Sequence, residues 1–262
     1  ENLYITFEIP KKSGGVRIIS TPKDSLKYIQ RNLAKELNKI HLKFLKDNNI
    51  KASISHGFEK NKSIITNAYI HKSKRYLVNI DISDFFPSFH FGRVKGYFCK
   101  SKEFGFSEEV STIIAQLVCY NGTLPQGAPT SPIISNLIFN IVDLQILKLA
   151  KKYRLNYTRY ADDLSFSTND KSFKEKYEEF LAELDFLINE NDFKINGRKT
   201  RFEYCYSRQE VTGLTVNKKL NANRVFIDKT RAMANSLYKN NVFTINSEDG
   251  NIKRLEGRFA FI

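Results

Sequence analysis

Cysteine, methionine and tryptophan are scarce in this sequence of 262 residues, which contains three Cys, one Met and no Trp. The cysteines, Cys99, Cys119 and Cys205, are odd in number and widely spaced, and no pair has Cys-x-x-Cys spacing. This pattern predicts neither a zinc site nor a disulfide framework. It fits a reducing environment, and we therefore expect a cytoplasmic location.

Several other signals are absent. No uninterrupted apolar run approaches the roughly 20 residues that a membrane-spanning helix needs, and we find no internal repeat, low-complexity tract or Gly/Ser linker. There is no signal peptide, and because the sequence begins at Glu1 without an initiator Met, we expect the natural N-terminus to lie upstream. Hydrophobic residues at 41% and charged residues at 27% are typical of a globular protein with one large domain or two to three packed subdomains.

Positive charge is in excess, with 42 Lys+Arg against 28 Asp+Glu and a formal net charge of +14. The excess is uneven: residues 1–79 carry a net +10, residues 80–150 a net −1, residues 151–200 a net of zero and residues 201–262 a net +5. Basic segments with interleaved aromatic residues are typical of proteins that bind a polyanion with stacking bases. Charge alone leaves a generally basic soluble surface as the alternative. No segment is a clean basic amphipathic helix, so we expect no membrane partner.

Hydrophobic periodicity predicts a chain of mixed helices and strands that opens with a β-hairpin. Residues 3–9 and 16–20 alternate as two strands around a basic, glycine-containing tip at residues 10–15. Helices are predicted at about 24–45, 63–71, 91–99, 108–119, 131–151 and 173–189, with Ser131-Pro132 as N-cap and first turn of the helix that starts there. Strands are predicted at 75–82, 156–160 and 164–167, with short ones near 194–195, 201–204 and 213–216 and mostly helix over the last forty residues.

Three carboxylates lie at the ends of predicted strands. Asp81 ends an apolar strand, and Asp162 and Asp163 form the tip of a hairpin. Alone, a strand-terminal Asp is more often a cap, and an Asp pair in a turn is usually solvated. On adjacent strands the three can converge, where they repel one another unless a cation lies among them. Such oxygen ligands suit Mg²⁺, and two ions about 3.5–4 Å apart would support in-line attack of a 3′-hydroxyl with pyrophosphate as leaving group.

Three motifs resemble those of reverse transcriptases. Tyr160-Ala161-Asp162-Asp163 resembles their YxDD box, residues 76–86 resemble their first palm motif, and residues 124–132 resemble their LPQG…SP motif. The motifs occur in the family's order and separation, and the resemblance covers almost the whole chain. It implies an α+β right-hand polymerase fold with a ferredoxin-like palm, basic fingers and a helical thumb. It also implies RNA-directed DNA polymerase activity, a nucleotidyl transfer.

Two further elements are similar to those of retron reverse transcriptases. Residues 67–71 (Asn-Ala-Tyr-Ile-His) resemble their NAxxH element, and residues 211–214 (Val-Thr-Gly-Leu) resemble their VTG element. Singly, the first would be an ordinary helix end with a partly exposed His, and the second a tight turn between strands. Their joint presence favours the retron group. The resemblance implies retron-specific or RNA-binding roles for the following residues: Asn67, His71, Val211, Thr212 and Gly213.

The resemblance also implies catalytic and metal-binding roles. Asp81, Asp162 and Asp163 match the family's metal-binding triad, with the carbonyl of Ile82 as an additional ligand. The implied cofactor is two Mg²⁺ ions, for which Mn²⁺ can substitute. Lys199 resembles the lysine that protonates departing pyrophosphate, with Arg198 and Lys194 as neighbouring alternatives.

Nucleotide contacts are implied for five positions: Lys11, Arg17, Phe86, Gln126 and Gly127. Phe86 matches the aromatic gate that crowds a ribose 2′-hydroxyl; the alternative is a core Phe, a role for which Phe85 is the better candidate. Lys11 and Arg17 resemble the cations that grip the triphosphate, and their alternative is a solvated basic hairpin. Gln126 and Gly127 match the loop beneath the nascent base pair.

The implied organisation is fingers at residues 1–75 with part of the palm-proximal region, a palm with inserted helical segments at 76–214, and the start of an incomplete thumb at 215–262. The implied partners are deoxynucleoside triphosphates, a dedicated structured non-coding RNA, and the RNA-linked multicopy single-stranded DNA copied from it. An effector protein or fused effector domain in antiphage defence is implied as well.

Two alternative functions remain open from the sequence. One is another bacterial reverse transcriptase, of the abortive-infection, group II intron-like or diversity-generating type. The other is a non-catalytic nucleic-acid-binding scaffold that kept the fold, against which the intact Asp81, Asp162, Asp163 and Gln126 argue.

Overall fold

The computed structural model describes residues 3–11, 14–50, 54–245 and 248–262. Lys12 and Ser13 of the predicted hairpin tip lie outside the described residues, as do the first two residues of the chain. The helices are α1 (Asp24–Asp47), α2 (Ile64–Ile70), α3 (Phe91–Lys100), α4 (Glu108–Val118), α5 (Ser131–Lys152), α6 (Phe173–Glu190), α7 (Arg224–Asn240) and α8 (Ile252–Phe261). The strands are β1 (Tyr4–Pro10), β2 (Val16–Pro22), β3 (Tyr76–Asp81), β4 (Asn156–Tyr160), β5 (Asp163–Thr168), β6 (Arg201–Tyr204), β7 (Glu210–Val211), β8 (Leu214–Thr215), β9 (Asn221–Ala222), β10 (Thr244–Ile245) and β11 (Glu248–Asp249).

A four-stranded antiparallel sheet in the order β4-β5-β3-β6 forms the centre of the molecule. Numbered by their order along the chain, its strands lie 2-3-1-4, which is the ferredoxin-like arrangement predicted for the palm. Strand β3 is buried at five of its six positions, because a central strand of a covered sheet contacts apolar side chains on both faces. The apolar core includes residues of β3 and β5 together with buried residues of α5 and α6.

The predicted N-terminal hairpin is confirmed in its described part. Strands β1 and β2 pair antiparallel from Tyr4–Pro22 to Pro10–Val16. The hairpin is attached to the rest of the fold by the Ser20 backbone N–H, which donates to the Gln126 carbonyl at 2.9 Å. It is also attached by the buried Gln30 of α1, whose amide donates to the Tyr4 hydroxyl at 2.8 Å. The basic hairpin is therefore held against the LPQG loop.

Helix α5 begins one residue earlier than the predicted N-cap implies. Thr130, not Ser131, occupies the N-cap position, and its side chain makes no cap hydrogen bond. Ser131 lies in the first turn, where its hydroxyl donates to the Pro125 carbonyl at 2.6 Å. The predicted N-cap was wrong because this hydroxyl fixes the preceding LPQG loop and not the helix end.

Helix α5 is also the one helix among the described residues that is long and apolar enough to cross a membrane, with a mean hydropathy of 1.5. The search for an uninterrupted apolar run missed it because Asn136, Asn140 and Asp143 interrupt the run. Within the fold, 56% of that window is buried. A core helix passes the same test of length and composition, so this is weak evidence for a membrane span.

The C-terminal part contains a three-stranded sheet, β7-β8-β9, followed by helices and a hairpin. The prediction that the last forty residues are mostly helical is confirmed by α7 and α8. The β10–β11 pair between them was not predicted, because a strand of two residues has no hydrophobic period to detect. Phe243, Ile245 and Leu255 form a separate small core there.

Candidate active site

The three predicted acidic residues meet at one edge of the central sheet. Asp81 is the last residue of β3 and Asp163 the first of β5, and the two are directly opposite each other in the antiparallel register. Asp162 occupies the turn before β5, and its carbonyl accepts a hydrogen bond of 3.0 Å from the Ile82 backbone N–H. The backbone therefore brings the three carboxylates together, as the strand-end pattern predicts.

The electrostatics of this edge are dominated by loss of solvent and by the mutual repulsion of the carboxylates. Partial removal from water raises the pKa of Asp163 to about 7, and the neighbouring carboxylates of Asp162 and Asp81 add to the effect. The pKa of Asp162 is also raised, first by the same loss of solvent and then by Asp81. The cations of Lys199 and Arg17 oppose the rise at Asp162 but do not cancel it. Ionising these carboxyl groups at neutral pH therefore costs free energy, and a bound cation would remove this cost.

Lys199 is the cation nearest to this cluster. It lies in a 3₁₀ turn, Gly197–Lys199, and its ammonium is 2.5 Å from Asp81 Oδ1. This hydrogen bond raises the pKa of Lys199, so the side chain is protonated at neutral pH. The side chain is 55% exposed, which leaves it room to move. The structure thus confirms that Lys199 is adjacent to the acidic cluster and shows that it pairs with one of its members.

The donor chemistry of the cluster fits a hard divalent cation. Three carboxylates converge there, and the Ile82 carbonyl accepts no hydrogen bond from any described residue. As the side chains stand, no three Asp, Glu, His or Cys side chains of the described part of the chain are placed to share a metal ion, and Asp81 is paired with Lys199 instead. Oxygen ligands of this kind are those that Mg²⁺ and Mn²⁺ accept. The predicted ligand set therefore has suitable chemistry but does not form a preassembled metal site.

Two adjacent phenylalanines follow Asp81 and have different surroundings. Phe85 is 4% exposed, and its ring contacts those of Phe89, Phe139 and Phe193 in the core. Phe86 is half-buried, and its ring centroid is 6.3 Å from that of the exposed Phe58. Phe85 is therefore the core residue, and Phe86 is the one that keeps part of its ring exposed.

The predicted nucleotide-contacting residues lie on the hairpin and on the loop that it touches. Lys11 and Arg17 are exposed, and Arg17 is close enough to lower the pKa of Asp162. Gly127 has a φ of +122°, and a Cβ there would lie 2.9 Å from Ile19 Cγ2 and 3.0 Å from the Ser20 carbonyl oxygen. Only glycine combines this backbone conformation with so close an approach. Gly127 thus lets β2 lie directly on the LPQG loop.

The NAxxH and VTG elements pack against each other. Ala68 of α2 shares a small apolar core with Val211, Leu214 and Val216, and the Thr212 hydroxyl donates to the Ile64 carbonyl at 3.3 Å. Thr212 and Gly213 both have positive φ, 47° and 83°, which is the two-residue turn typical of a tight hairpin. Two segments that are more than 130 residues apart in the sequence therefore form one structural unit.

Burial changes the interpretation of these elements. His71 is fully buried rather than partly exposed, with Nδ1 2.7 Å from the Ser167 hydroxyl and Nε2 2.7 Å from the Thr158 hydroxyl. Asn67 and Val211 are fully buried as well, so none of these three side chains presents a surface to RNA in this structure. Gly213 is exposed and Thr212 half-buried. The buried members of both elements support the β4–β5 hairpin and the β7–β8 turn from within.

One set of residues at the site was missed by sequence reasoning. Arg159, next to the YxDD-like tetrapeptide, is fully buried and pairs with the fully buried Asp143 of α5, with Nη2 2.7 Å from Oδ2. Gly57 packs against the turn that carries Asp162. No signal in the sequence indicated this pair, because a charged residue in a strand suggests contact with solvent. In the structure β4 is buried at Tyr157, Thr158 and Arg159 in succession, and a buried Arg needs an acidic partner.

Replacing Asp163 with Asn is expected to change the pH dependence of stability in the metal-free protein. A pKa raised in the folded state stabilises the fold at low pH, and this stability is lost as pH rises from about 4 through about 7. Asn does not titrate, so the free energy of unfolding of the variant rises relative to that of the natural protein by about 1–2 kcal/mol over this window. This is well below the full value of the pKa shift, because the side chain is exposed to solvent. Urea unfolding at pH 4 and pH 8 with chelator measures the difference.

The buried His71 and the half-buried His56 affect the pH dependence of stability in the opposite direction, and both are present in the variant and in the natural protein. Burial lowers their pKa values to about 3 and about 4, so each stabilises the fold above pH 6.5 and loses this as pH falls. Their contribution cancels when the variant is compared with the natural protein. A difference that stays constant between pH 4 and pH 8 contradicts the raised pKa of Asp163.

Comparison with known proteins gives consistent results at the level of sequence. The family model described as "Reverse transcriptase (RNA-dependent DNA polymerase)" matches residues 9–230. Retron Mx65 reverse transcriptase of Myxococcus xanthus is 33% identical over 249 residues, 88% of this chain and 55% of the relative. Retron Ec86 reverse transcriptase of Escherichia coli is 33% identical over 221 residues, 82% of this chain and 63% of the relative. The chain thus spans about half the length of the first two curated relatives, Mx65 and Mx162.

Solved structures with a similar fold include telomerases. The telomerase of Candida albicans, in complex with a fragment of telomeric RNA, matches with a TM-score of 0.60 at 11% identity over 84% of this chain and 45% of that chain. The apo telomerase of Candida tropicalis, truncated from the C-terminal domain, matches with a TM-score of 0.57 at 13% identity over 83% of this chain and 54% of that chain. At such identities the likeness concerns the fold alone, and it confirms the predicted α+β right-hand polymerase fold.

Proposed function

Because the chain belongs to the reverse transcriptase family, we propose that it is the RNA-directed DNA polymerase of a retron. The observation that carries the proposal is the meeting of Asp81, Asp162 and Asp163 at one edge of the central sheet. The sequence similarity to several retron reverse transcriptases supports the retron assignment over the other bacterial types.

Members of this family use a divalent metal cofactor, and we propose two Mg²⁺ ions, replaceable by Mn²⁺, held by Asp81, Asp162, Asp163 and the Ile82 carbonyl. Bound there, the cations would activate the 3′-hydroxyl of the primer and stabilise the pyrophosphate leaving group. The pairing of β3 with β5 keeps Asp81 and Asp163 opposite each other. Lys199 must leave Asp81 for that carboxylate to act as a ligand, and its protonated ammonium is then free to donate a proton to the departing pyrophosphate.

Substrate contacts follow from the surfaces next to the cluster. Arg17 and Lys11, on the exposed hairpin, bind the triphosphate of the incoming deoxynucleotide, as their charge and position favour. Gln126 and Gly127 support the nascent base pair, and Phe86 excludes a ribose 2′-hydroxyl. The ratio of deoxynucleotide to ribonucleotide incorporation, compared between the natural protein and Phe86→Val, tests this gate: the ratio is expected to fall, and an unchanged ratio refutes it.

The proposed nucleic-acid partner is a structured non-coding RNA. The basic segments 1–79 and 201–262 flank an electrically balanced centre, and such an excess of cations suits the binding of a polyanion. The retron relatives, and a telomerase of similar fold bound to an RNA fragment, support an RNA partner. The product would be single-stranded DNA joined to that RNA. We further propose an effector partner in antiphage defence, a cytoplasmic location, and fingers, palm and thumb at residues 1–75, 76–214 and 215–262.

Primer extension on an RNA template of arbitrary defined sequence tests the polymerase assignment. With Mg²⁺ and all four deoxynucleotides, the product is expected to be the complement of the template when sequenced. A product unrelated to the template would indicate an abortive-infection type of enzyme. No product from the natural protein would favour a non-catalytic scaffold.

The retron assignment is tested on nucleic acid co-purified with the protein from cells that carry its natural locus. The expected species is a DNA strand that keeps one ribonucleotide at its 5′ end, joined through the 2′-oxygen, after RNase treatment. Free DNA with no attached ribonucleotide would refute the retron assignment while leaving the polymerase assignment intact.

A further inference from the structure

The turn that carries Asp162 has a strained backbone. Ala161, which precedes Asp162, has a φ of +55°, a left-handed conformation that residues with a Cβ adopt at a cost. Its carbonyl accepts a hydrogen bond of 3.1 Å from Nη1 of Arg159. The conformation that orients the two catalytic carboxylates is thus tied directly to a side chain two residues earlier.

Arg159 is itself held from several directions in the interior. The side chain is fully buried, Nε lies 2.9 Å from Asp143 Oδ1, and Nη2 lies 2.7 Å from Asp143 Oδ2. Its guanidinium carbon is 4.7 Å from the centroid of the Phe139 ring, and the Tyr157 hydroxyl donates to Asp143 at 2.7 Å. The fork geometry of Arg satisfies Asp143 with Nε and Nη2 and leaves Nη1 for the turn, a division that Lys cannot make.

Asn136 connects this ion pair to a separate loop. Arg159 Nη1 also donates to Asn136 Oδ1 at 3.1 Å, and Asn136 Nδ2 donates to the Gly57 carbonyl at 2.9 Å. The Ser55 hydroxyl donates to Asn136 Oδ1 at 3.1 Å. Three polar groups therefore converge on one buried amide that joins α5, β4 and the loop before α2.

The loop before α2 also contacts the turn that carries Asp162. The His56 backbone N–H donates to the Arg159 carbonyl at 2.7 Å. A Cβ built on Gly57 would lie 2.6 Å from the Ala161 backbone nitrogen and 3.2 Å from the Tyr160 carbonyl carbon. Gly57 has no positive φ, so its requirement for glycine comes from this close approach and not from its own conformation.

We propose that Gly57, Asn136, Asp143 and Arg159 form a turn clamp that positions Asp162 and Asp163 for catalysis. They are positioning residues, because they act through the backbone of Ala161 and touch no reacting atom. The proposal rests on the polymerase function proposed above. A misplacement of the carboxylates by about 1 Å is enough to lower the rate of a positioned reaction by about 100-fold.

Gly57→Ala is the first test, since it adds one methyl group against the turn and leaves every clamp side chain in place. We expect kcat for primer extension to fall by about 100-fold and the half-saturating Mg²⁺ concentration to rise by about 5-fold or more. Affinity for a primer–template duplex, measured by fluorescence anisotropy, is expected to stay within about twofold, because all four clamp residues are buried. Gly96→Ala is the matched control: a Cβ on Gly96 in α3 meets nothing within 4 Å, and its kinetics are expected to equal those of the natural protein.

Arg159→Lys is the second test and keeps the charge that Asp143 needs. It removes the hydrogen bond to Ala161, so the same loss of kcat is expected at a temperature where circular dichroism shows the variant folded. If Gly57→Ala and Arg159→Lys act on the same turn, kcat of the variant that carries both is expected to be no lower than that of the slower single variant. Mn²⁺ binding by calorimetry, without substrate, is expected to weaken by about 5-fold in each, which provides a readout independent of synthesis.

The outcomes separate failure of the clamp from failure of the proposed function. If the natural protein extends primers and both variants match it once corrected for the folded fraction, the turn clamp is refuted. Additive losses in the double variant, or unchanged Mn²⁺ binding, also refute it, since they would show an ordinary buried ion pair. If the natural protein extends no primer, the polymerase assignment fails, and Mn²⁺ binding alone then decides the clamp.

Discussion

Replacing Asp162 and Asp163 together with Asn lowers the rate of DNA synthesis by about 10³-fold or more, equivalent to about 4 kcal/mol of lost transition-state stabilisation. The amide is close in shape to the carboxylate, so the turn and its hydrogen bond from Ile82 to the Asp162 carbonyl are kept while the charge is removed. Neutral amides are poor ligands for a hard divalent cation that needs anionic oxygen. Single-nucleotide incorporation under saturating duplex measures the loss.

The matched control is Asp185→Asn on the exposed surface of α6. It makes the same chemical change at a residue whose carboxylate accepts a hydrogen bond only from Asn189 among the described residues. Its synthesis rate is expected to equal that of the natural protein. Undiminished synthesis by the Asp162 and Asp163 double variant would show that the catalytic carboxylates lie elsewhere.

Replacing Asp162 and Asp163 with Asn is also expected to stabilise the metal-free fold. The raised pKa values of Asp162 and Asp163 mean that their ionised forms are less favourable in the folded chain than in the unfolded one. Active sites commonly keep such unfavourable clusters because the function needs them. A gain in stability combined with a loss of synthesis would therefore show that the unfavourable charges belong to the residues that synthesis needs.

Much of this site could be predicted from the sequence because it depends on local pattern. The apolar run of β3 that ends at Asp81 and the strand–turn–strand pattern around Asp162 and Asp163 put the carboxylates at strand ends, and side-chain alternation excludes a register slip of one residue. The observed antiparallel register then places Asp81 opposite Asp163. The distinction between Phe85 and Phe86 followed from the resemblance of residues 76–86 to the first palm motif of reverse transcriptases.

The remainder depends on tertiary contacts that no local pattern records. His71 follows a short helix, where the ordinary alternative to a specific role is a partly exposed side chain, yet it is buried between Thr158 and Ser167. The requirement for glycine at Gly57 arises from a backbone about a hundred residues later. Arg159 occupies a strand position where a charged side chain suggests solvent, and only the contact with α5 shows its partner Asp143.

Replacing Asp143 with Ala is expected to destabilise the fold by about 3–5 kcal/mol, the largest loss of stability that we predict for a single substitution in this chain. It leaves the guanidinium of Arg159 buried without a counter-charge, and the Tyr157 hydroxyl without its acceptor. Burial acts to lower the pKa of Arg159, and the carboxylate of Asp143 more than offsets this effect. Without Asp143 the cost of burying the cation is left uncompensated, and Arg does not escape it by losing its proton. Urea unfolding measures the change as a shift in midpoint at constant slope.

The double replacement Asp143→Leu with Arg159→Met separates the charge from the architecture. Removing both charges avoids the unpaired ion, so the double variant is expected to be more stable than Asp143→Ala by about 1–2 kcal/mol. It remains less stable than the natural protein, because the Ala161 carbonyl and the Tyr157 hydroxyl lose their partners and Asn136 Oδ1 loses one of its two donors. A double variant less stable than Asp143→Ala would mean that the unpaired charge is not what destabilises the single variant. If Asp143→Ala lowers the free energy of unfolding by less than about 1.5 kcal/mol, water must reach Arg159. A fully buried guanidinium that loses its hydrogen-bonded carboxylate would destabilise the fold by more than this.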